Sequence, residues 1–117
     1  MNIELFREYC LSKKASTESF PFDQDTLVFK VANKMFALIS LSEPDNANLK
    51  CEPENAVFLR EHYDCVKPGY HMSKTHWNNI YFDVTVNDAL IYQWIDDSYD
   101  LIVNGLSNKV RQEYGLT

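Results

Sequence analysis

The sequence predicts an α+β domain in which an antiparallel sheet is packed against helices on one face. Three observations predict it. Two adjacent β-type runs, Leu27–Val31 and Lys34–Leu41, are separated only by Ala32-Asn33; a long amphipathic stretch follows Asn87; and the element order reads helix, hairpin, strand, helix, hairpin, helix.

Ile3, Phe6, Cys10 and Lys13 recur at helical spacing, Asn2 can cap the start, and Lys13-Lys14 suit the negative end of a helix dipole. A first helix is expected over about residues 2–14. Ser16–Ser19 reads as a polar connection, and Phe20-Pro21-Phe22-Asp23 as an ordered turn, where proline blocks helix and both aromatics are expected to be buried. The hairpin comes next, with Asn33 tolerating the positive φ of its turn. Ser42–Asn46 is turn chemistry, and Ala47–Cys51 suggests a third short strand of undetermined place in the sheet. Pro53 fits a first helical position, and Ala56, Leu59 and Tyr63 give a short helix its apolar stripe. Lys67-Pro68-Gly69-Tyr70 is a turn, and Asn79–Asp83 resembles a strand, which makes a second, looser hairpin. Asn87 caps a final helix whose Ile91, Trp94, Ile95, Ser98, Ile102 and Gly105 share one face, flanked by Leu90, Leu101 and Leu106. Trp77 and Trp94 belong in or near the core.

At 117 residues, 45% hydrophobic and 24% charged, the chain fits one domain, 1–117, that needs no disulfide or metal staple. Its opening lacks a basic segment followed by an apolar one, so it reads as mature protein, and its longest apolar run, Met35–Leu41, is strand-sized. No membrane association is expected. Cys10, Cys51 and Cys65 are odd in number and far apart, with no CxxC pair, which points to a reducing cytoplasm.

The net charge of −6 is opposite to the footprint of a nucleic-acid binder, but it is unevenly spread. Thr26–Ser42 holds Lys30 and Lys34 with no acid, and Cys65–Phe82 holds Lys67 and Lys74 among Tyr70, His71, His76 and Trp77, again with no acid. The remaining 82 residues carry 7 basic and 17 acidic side chains. Strands are generally poor in Asp and Glu, which accounts for part of this; a weakly basic edge built by two hairpins is the sharper reading. Four lysines would neutralise few phosphates, so any affinity would be modest at physiological salt.

His62, Cys65, His71 and His76 cluster within 15 residues but match no zinc spacing, and no metal or cofactor is expected. A Cys65–His71 nucleophile would need an adjacency that sequence does not show, and no catalytic motif surrounds it, so no catalytic residue and no enzyme activity is assigned. Asp96 and Asp100 fall on one helical face, as a solvated flank would place them. Tyr70 and His71 beside lysines suit base stacking or simple anchoring of a turn.

The segment Lys67–Asn78, KPGYHMSKTHWN, resembles the MmcQ/YjbR family of small bacterial proteins, whose segment typically reads PGYHM, a lysine, then HWN. Leu27–Val31 with Lys34–Leu38 resembles its first hairpin and Ile95–Val103 its closing helix; with Phe20–Asp23 and Asn48–Pro53 the likeness covers nearly the whole chain. The resemblance implies an α+β fold similar to the frataxin-like CyaY arrangement, described as a double-wing motif, and a DNA-binding role attached mainly to that shape. It would make the two acid-free stretches the wings. Thr75 stands where many relatives carry a basic residue and Ser73 where Asn is common, which lowers the charge of the second wing. Iron binding, which frataxin-like folds bring to mind, finds only Glu4 and Glu8 as acids in the first helix.

The expected function is therefore weak, salt-sensitive DNA contact by a monomer through Lys30, Lys34, Lys67, Tyr70, His71, Lys74 and His76. The alternative is a protein-interaction or small-ligand module with no nucleic-acid role and a partner left unknown. Lysines gathered on one face favour the first, and scattered lysines the second. The PGYHM and HWN blocks also fit a structural role, with Trp77 pinning the loop and Asn78 satisfying backbone groups.

Overall fold

The computed structural model describes residues 1–69 and 72–117. In chain order it contains α1 (Ile3–Ser12), β1 (Ser16–Ser19), β2 (Thr26–Val31), β3 (Lys34–Ser40), β4 (Asn46–Lys50), α2 (Pro53–His62), β5 (Val66–Pro68), β6 (Trp77–Tyr81), α3 (Asp88–Asn104) and α4 (Asn108–Glu113). The six strands form one antiparallel sheet in the order β1-β2-β3-β4-β6-β5. The third short strand thus sits between the two hairpins and joins them.

Capping sets the helix starts. Asn2 Oδ1 accepts from the Leu5 amide at 2.9 Å, and Asn87 Oδ1 from that of Ala89 at 2.6 Å. Ala32 and Asn33 both adopt positive φ, 50° and 65°, which gives the β2–β3 turn the twist its strands need. Phe6 and Cys10 of α1, Ala56 and Leu59 of α2, and Ile91, Ile95 and Ile102 of α3 bury against the same sheet face, on Leu27, Phe29, Ile39, Leu49 and Ile80. Phe6, Phe29, Phe36 and Tyr99 run through this core as a chain of ring contacts spaced 5.4 to 6.5 Å apart.

A β-bulge organises the centre. Phe29 pairs with Ala37 but Lys30 with Met35, so Phe36 is an extra residue, and both Phe36 and Ala37 turn toward the helices. The Phe36 carbonyl accepts a 2.6 Å hydrogen bond from Ser98 Oγ, which also accepts from the Lys50 amide at 3.0 Å. This gives the fully buried hydroxyl on the apolar face of α3 its purpose.

Several expectations are corrected. Ser16–Ser19 is a strand rather than a connection: β2 supplies its partners, and Glu18 is held on the helical side by Arg7, Nε to Oε2 at 2.7 Å. Phe20 and Phe22 are 45% and 62% exposed rather than buried, because their loop crosses toward the side of the sheet that α1, α2 and α3 do not cover. The first helix stops at Ser12, the last strand begins at Trp77, and Ser107 starts a further short helix that lacks any buried stripe.

Candidate functional site

Side chains alternate across each strand, so the register fixes what the helix-free face presents. Across its middle run Val28, Leu38, Asn48, Asn79 and Lys67, each opposite the next on the neighbouring strand. Toward the β2–β3 turn lie Lys30 opposite Met35 and Lys50 opposite Trp77; toward the other end lie Thr26 opposite Ser40 and Asn46 opposite Tyr81. Val28, Leu38 and Trp77, with Met35 and Met72, form a small second apolar cluster there.

The turn end of the sheet is basic, and its cavity reaches round to the helical side, since Lys34 stands opposite the buried Val31 and Leu101, Ile102 and Gly105 of α3 form one wall. Lys34, Lys50 and His76 come from the hairpin tip, the end of β4 and the turn before β6, and line one cavity of about 270 Å³ together with Glu52 and the C-terminal end of α3. Two of the expected residues, Lys34 and His76, are therefore brought together. Lys30 lies one pair inward from that tip but on the helix-free face, opposite Met35. Lys67 does not join them: it stands on β5, about 19 Å from β2 across four strand spacings. Lys74 is exposed in the turn before β6, where its carbonyl accepts from Arg60 Nη2. Tyr70 and His71, and with them the base-stacking and Cys65–His71 readings, lie outside the described residues. Lys50 was missed because Glu52 excludes it from the acid-free stretches; its alternation with Asn46 and Asn48 was the available signal.

The second turn is built by structural contacts. Arg60 Nε donates to Asn78 Oδ1 at 2.6 Å and Nη2 to the Trp77 carbonyl at 3.3 Å, while Asn78 Nδ2 donates to the Ala56 carbonyl at 3.3 Å. Asn78 is 1% exposed, so the HWN block ties this turn to α2. A Cβ at Gly69 would sit 3.0 Å from Trp77 Cβ and 3.2 Å from Asn48 Oδ1, which accounts for the glycine of PGYHM by close approach.

The opposite end of the sheet, on its helix-free face, is acidic and hollow. A cavity of about 650 Å³ is bounded by Phe22, Met72, Asp23, Asp25, Glu43 and the strand residues between them. Asp25 accepts from Ser40 Oγ and, at 2.8 Å each, from Ser42 Oγ and the Ser42 amide; these bonds hold its carboxyl below the usual range. Asp23 is held low by the Thr26 amide at 2.6 Å and that of Asp25 at 2.9 Å.

The remaining constellations are structural. His62 Nδ1 lies 2.8 Å from the Phe58 carbonyl, and its ring stacks on Phe58 at 3.9 Å. Among the described residues no three His, Cys, Asp or Glu side chains converge as metal ligands would. Cys10, Cys51 and Cys65 are buried, and burial pushes each thiol up. Asp96 pairs with Lys13 and accepts from Tyr9 Oη at 2.7 Å, tying α1 to α3. Burial opposes the Lys13 charge, yet Asp96 raises its pKa. Among the described residues no helix is long and apolar enough to cross a membrane.

The fold defines a class: a helix-backed antiparallel sheet with a basic rim at one end and an acidic hollow at the other end of its helix-free face. The YjbR family model matches residues 11–101, and the chain belongs to that family. It is 34% identical to the Escherichia coli K12 protein named YjbR over 113 residues, 96% of each chain. It is 37% identical to Escherichia coli O157:H7 YbdF over 91 residues, 77% of this chain and 75% of that one. A Deinococcus radiodurans crystal structure with the DUF419 domain shares the fold at TM-score 0.89 and 36% identity, over 98% of this chain and 88% of that one. A Pseudomonas syringae protein follows at TM-score 0.71 and 27% identity, over 86% and 98%.

Proposed function

We propose that this YjbR-family chain contacts nucleic acid weakly through the basic rim at the β2–β3 turn end of its sheet, beside the C-terminal end of α3. The observation that carries the reading is the convergence of Lys34, Lys50 and His76 from three segments around one cavity, with Lys30 behind them on the helix-free face. Clustered ammonium groups engage neighbouring phosphates and release their counterions, whereas dispersed ones do not act together. Such contacts position a strand without reading its sequence. The −6 body and Glu52 repel the rest of the backbone, which confines contact to a few phosphates at this end.

The test is fluorescence anisotropy of a labelled duplex and a labelled single strand, titrated at low and physiological salt, with wild type and Lys34→Ala/Lys50→Ala. The expected slope of log K against log salt on duplex is about −3, falling in magnitude by about 2 in the double variant. Lys67→Ala should leave it unchanged. Folded protein that fails to bind at low salt, or a double variant that binds as wild type does, overturns the reading.

A further inference from the structure

We propose that the cavity at the acidic end of the helix-free face binds a small organic cation carrying N–H donors, an amine or a guanidinium. The site is separate from the basic end, and the inference does not rest on the nucleic-acid reading. Its volume of about 650 Å³ lies within the range of small-molecule clefts. Its floor is polar: Asn46 and Asn48 on β4 face the same side as Asn79 and Tyr81 on β6, with Asn48 opposite Asn79 and Asn46 opposite Tyr81. Asparagine is disfavoured in strands, so three of them on one face of two central strands call for a use beyond the sheet itself.

Charge and hydrogen bonding select the occupant. Asp23, Asp25 and Glu43 line the cavity, and no lysine or arginine does among the described residues. An anion would meet three carboxylates and no cation; an ammonium or guanidinium meets the reverse. Asn79 makes one long hydrogen bond, Nδ2 to Tyr81 Oη at 3.5 Å, and its Oδ1 is buried with no partner among the described residues. With only that long bond to hold it, the Asn79 carboxamide can turn to offer its oxygen to a ligand N–H, which its buried orientation does not. Phe22, 62% exposed, and Met72 wall the site with apolar surface that suits the alkyl stem of an amine or arginine-like group.

The experiment titrates the full ¹⁵N-labelled chain with agmatine, with an arginine-bearing tripeptide and with glutarate, each to about 10 mM, a range that captures weak millimolar ligands. Agmatine or the peptide is expected to shift the amides of Asn46, Asn48, Asn79 and Tyr81 saturably, and glutarate is not. Tighter binding of agmatine identifies a free small cation as the source, and tighter binding of the peptide identifies a protein side chain. Asn79→Leu, which removes the carboxamide at similar volume, is expected to weaken binding about tenfold. Should that variant unfold, Glu43→Gln at the exposed rim carries the test, with an expected loss of about threefold. No saturable shift from either cation, equal binding of glutarate, or shifts elsewhere on the chain overturns the proposal.

Discussion

The two faces of this sheet are made from the same strands and do different work. One is closed by α1, α2 and α3 over aromatic and branched side chains; the other holds a small cluster of Val28, Leu38 and Trp77 among asparagines and lysines. Stability is concentrated on the first face, which leaves the second free to carry an acidic hollow, while the basic rim gathers at the turn end beside α3. The bulge at Phe36 serves both faces, since it sends two successive residues inward while Met35 and Leu38 stay outward.

The contrast is sharpest in paired truncations on one hairpin. Phe36→Ala, removing a ring with no exposed surface, should cost about 3–5 kcal/mol in chemical denaturation, whereas partly exposed Met35→Ala should cost about 1 kcal/mol. Equal costs would break the comparison. Next comes Ser98→Ala, which strips the Phe36 carbonyl and the Lys50 amide of their shared partner and should cost about 2–3 kcal/mol. Lys34→Ala/Lys50→Ala, by contrast, should alter stability by less than about 0.5 kcal/mol even as it weakens the proposed nucleic-acid contact.

A smaller effect follows from Asp25. Its folded pKa lies below the ordinary 3.8, so its contribution to stability is present above that value and lost as pH falls through the lower folded one. The Tm of wild type should therefore exceed that of Asp25→Asn at pH 7, and the gap should close in acid below the ordinary value. A gap that widens in acid would contradict the assigned hydrogen bonds.

The helical face was legible because burial against helices leaves a period in the sequence. Asn87 and the Ile91–Ile102 stripe gave α3, and Ala32-Asn33 between two apolar runs gave the β2–β3 hairpin. β1 left no such trace: Ser16–Ser19 pairs through its backbone, with one carboxylate bound to Arg7. Phe20 and Phe22 misled because aromaticity suggests burial, while their loop has only the helix-free side to rest on. Of the candidate site, Lys34 and His76 could be named but not joined, because their meeting depends on β4 lying between the two hairpins. The cavity depends on the same pairing, which aligns Asn48 with Asn79 across 31 residues of sequence.

The separation of the basic rim from the acidic hollow is tested most directly by one ¹⁵N-labelled sample titrated first with a short single strand at low salt and then with agmatine. The account predicts two separate sets of shifted amides, Lys30, Lys34, Lys50 and His76 for the oligonucleotide, and Asn46, Asn48, Asn79 and Tyr81 for the cation. A single set shared by both probes, or an oligonucleotide that shifts only the asparagine row, would contradict it.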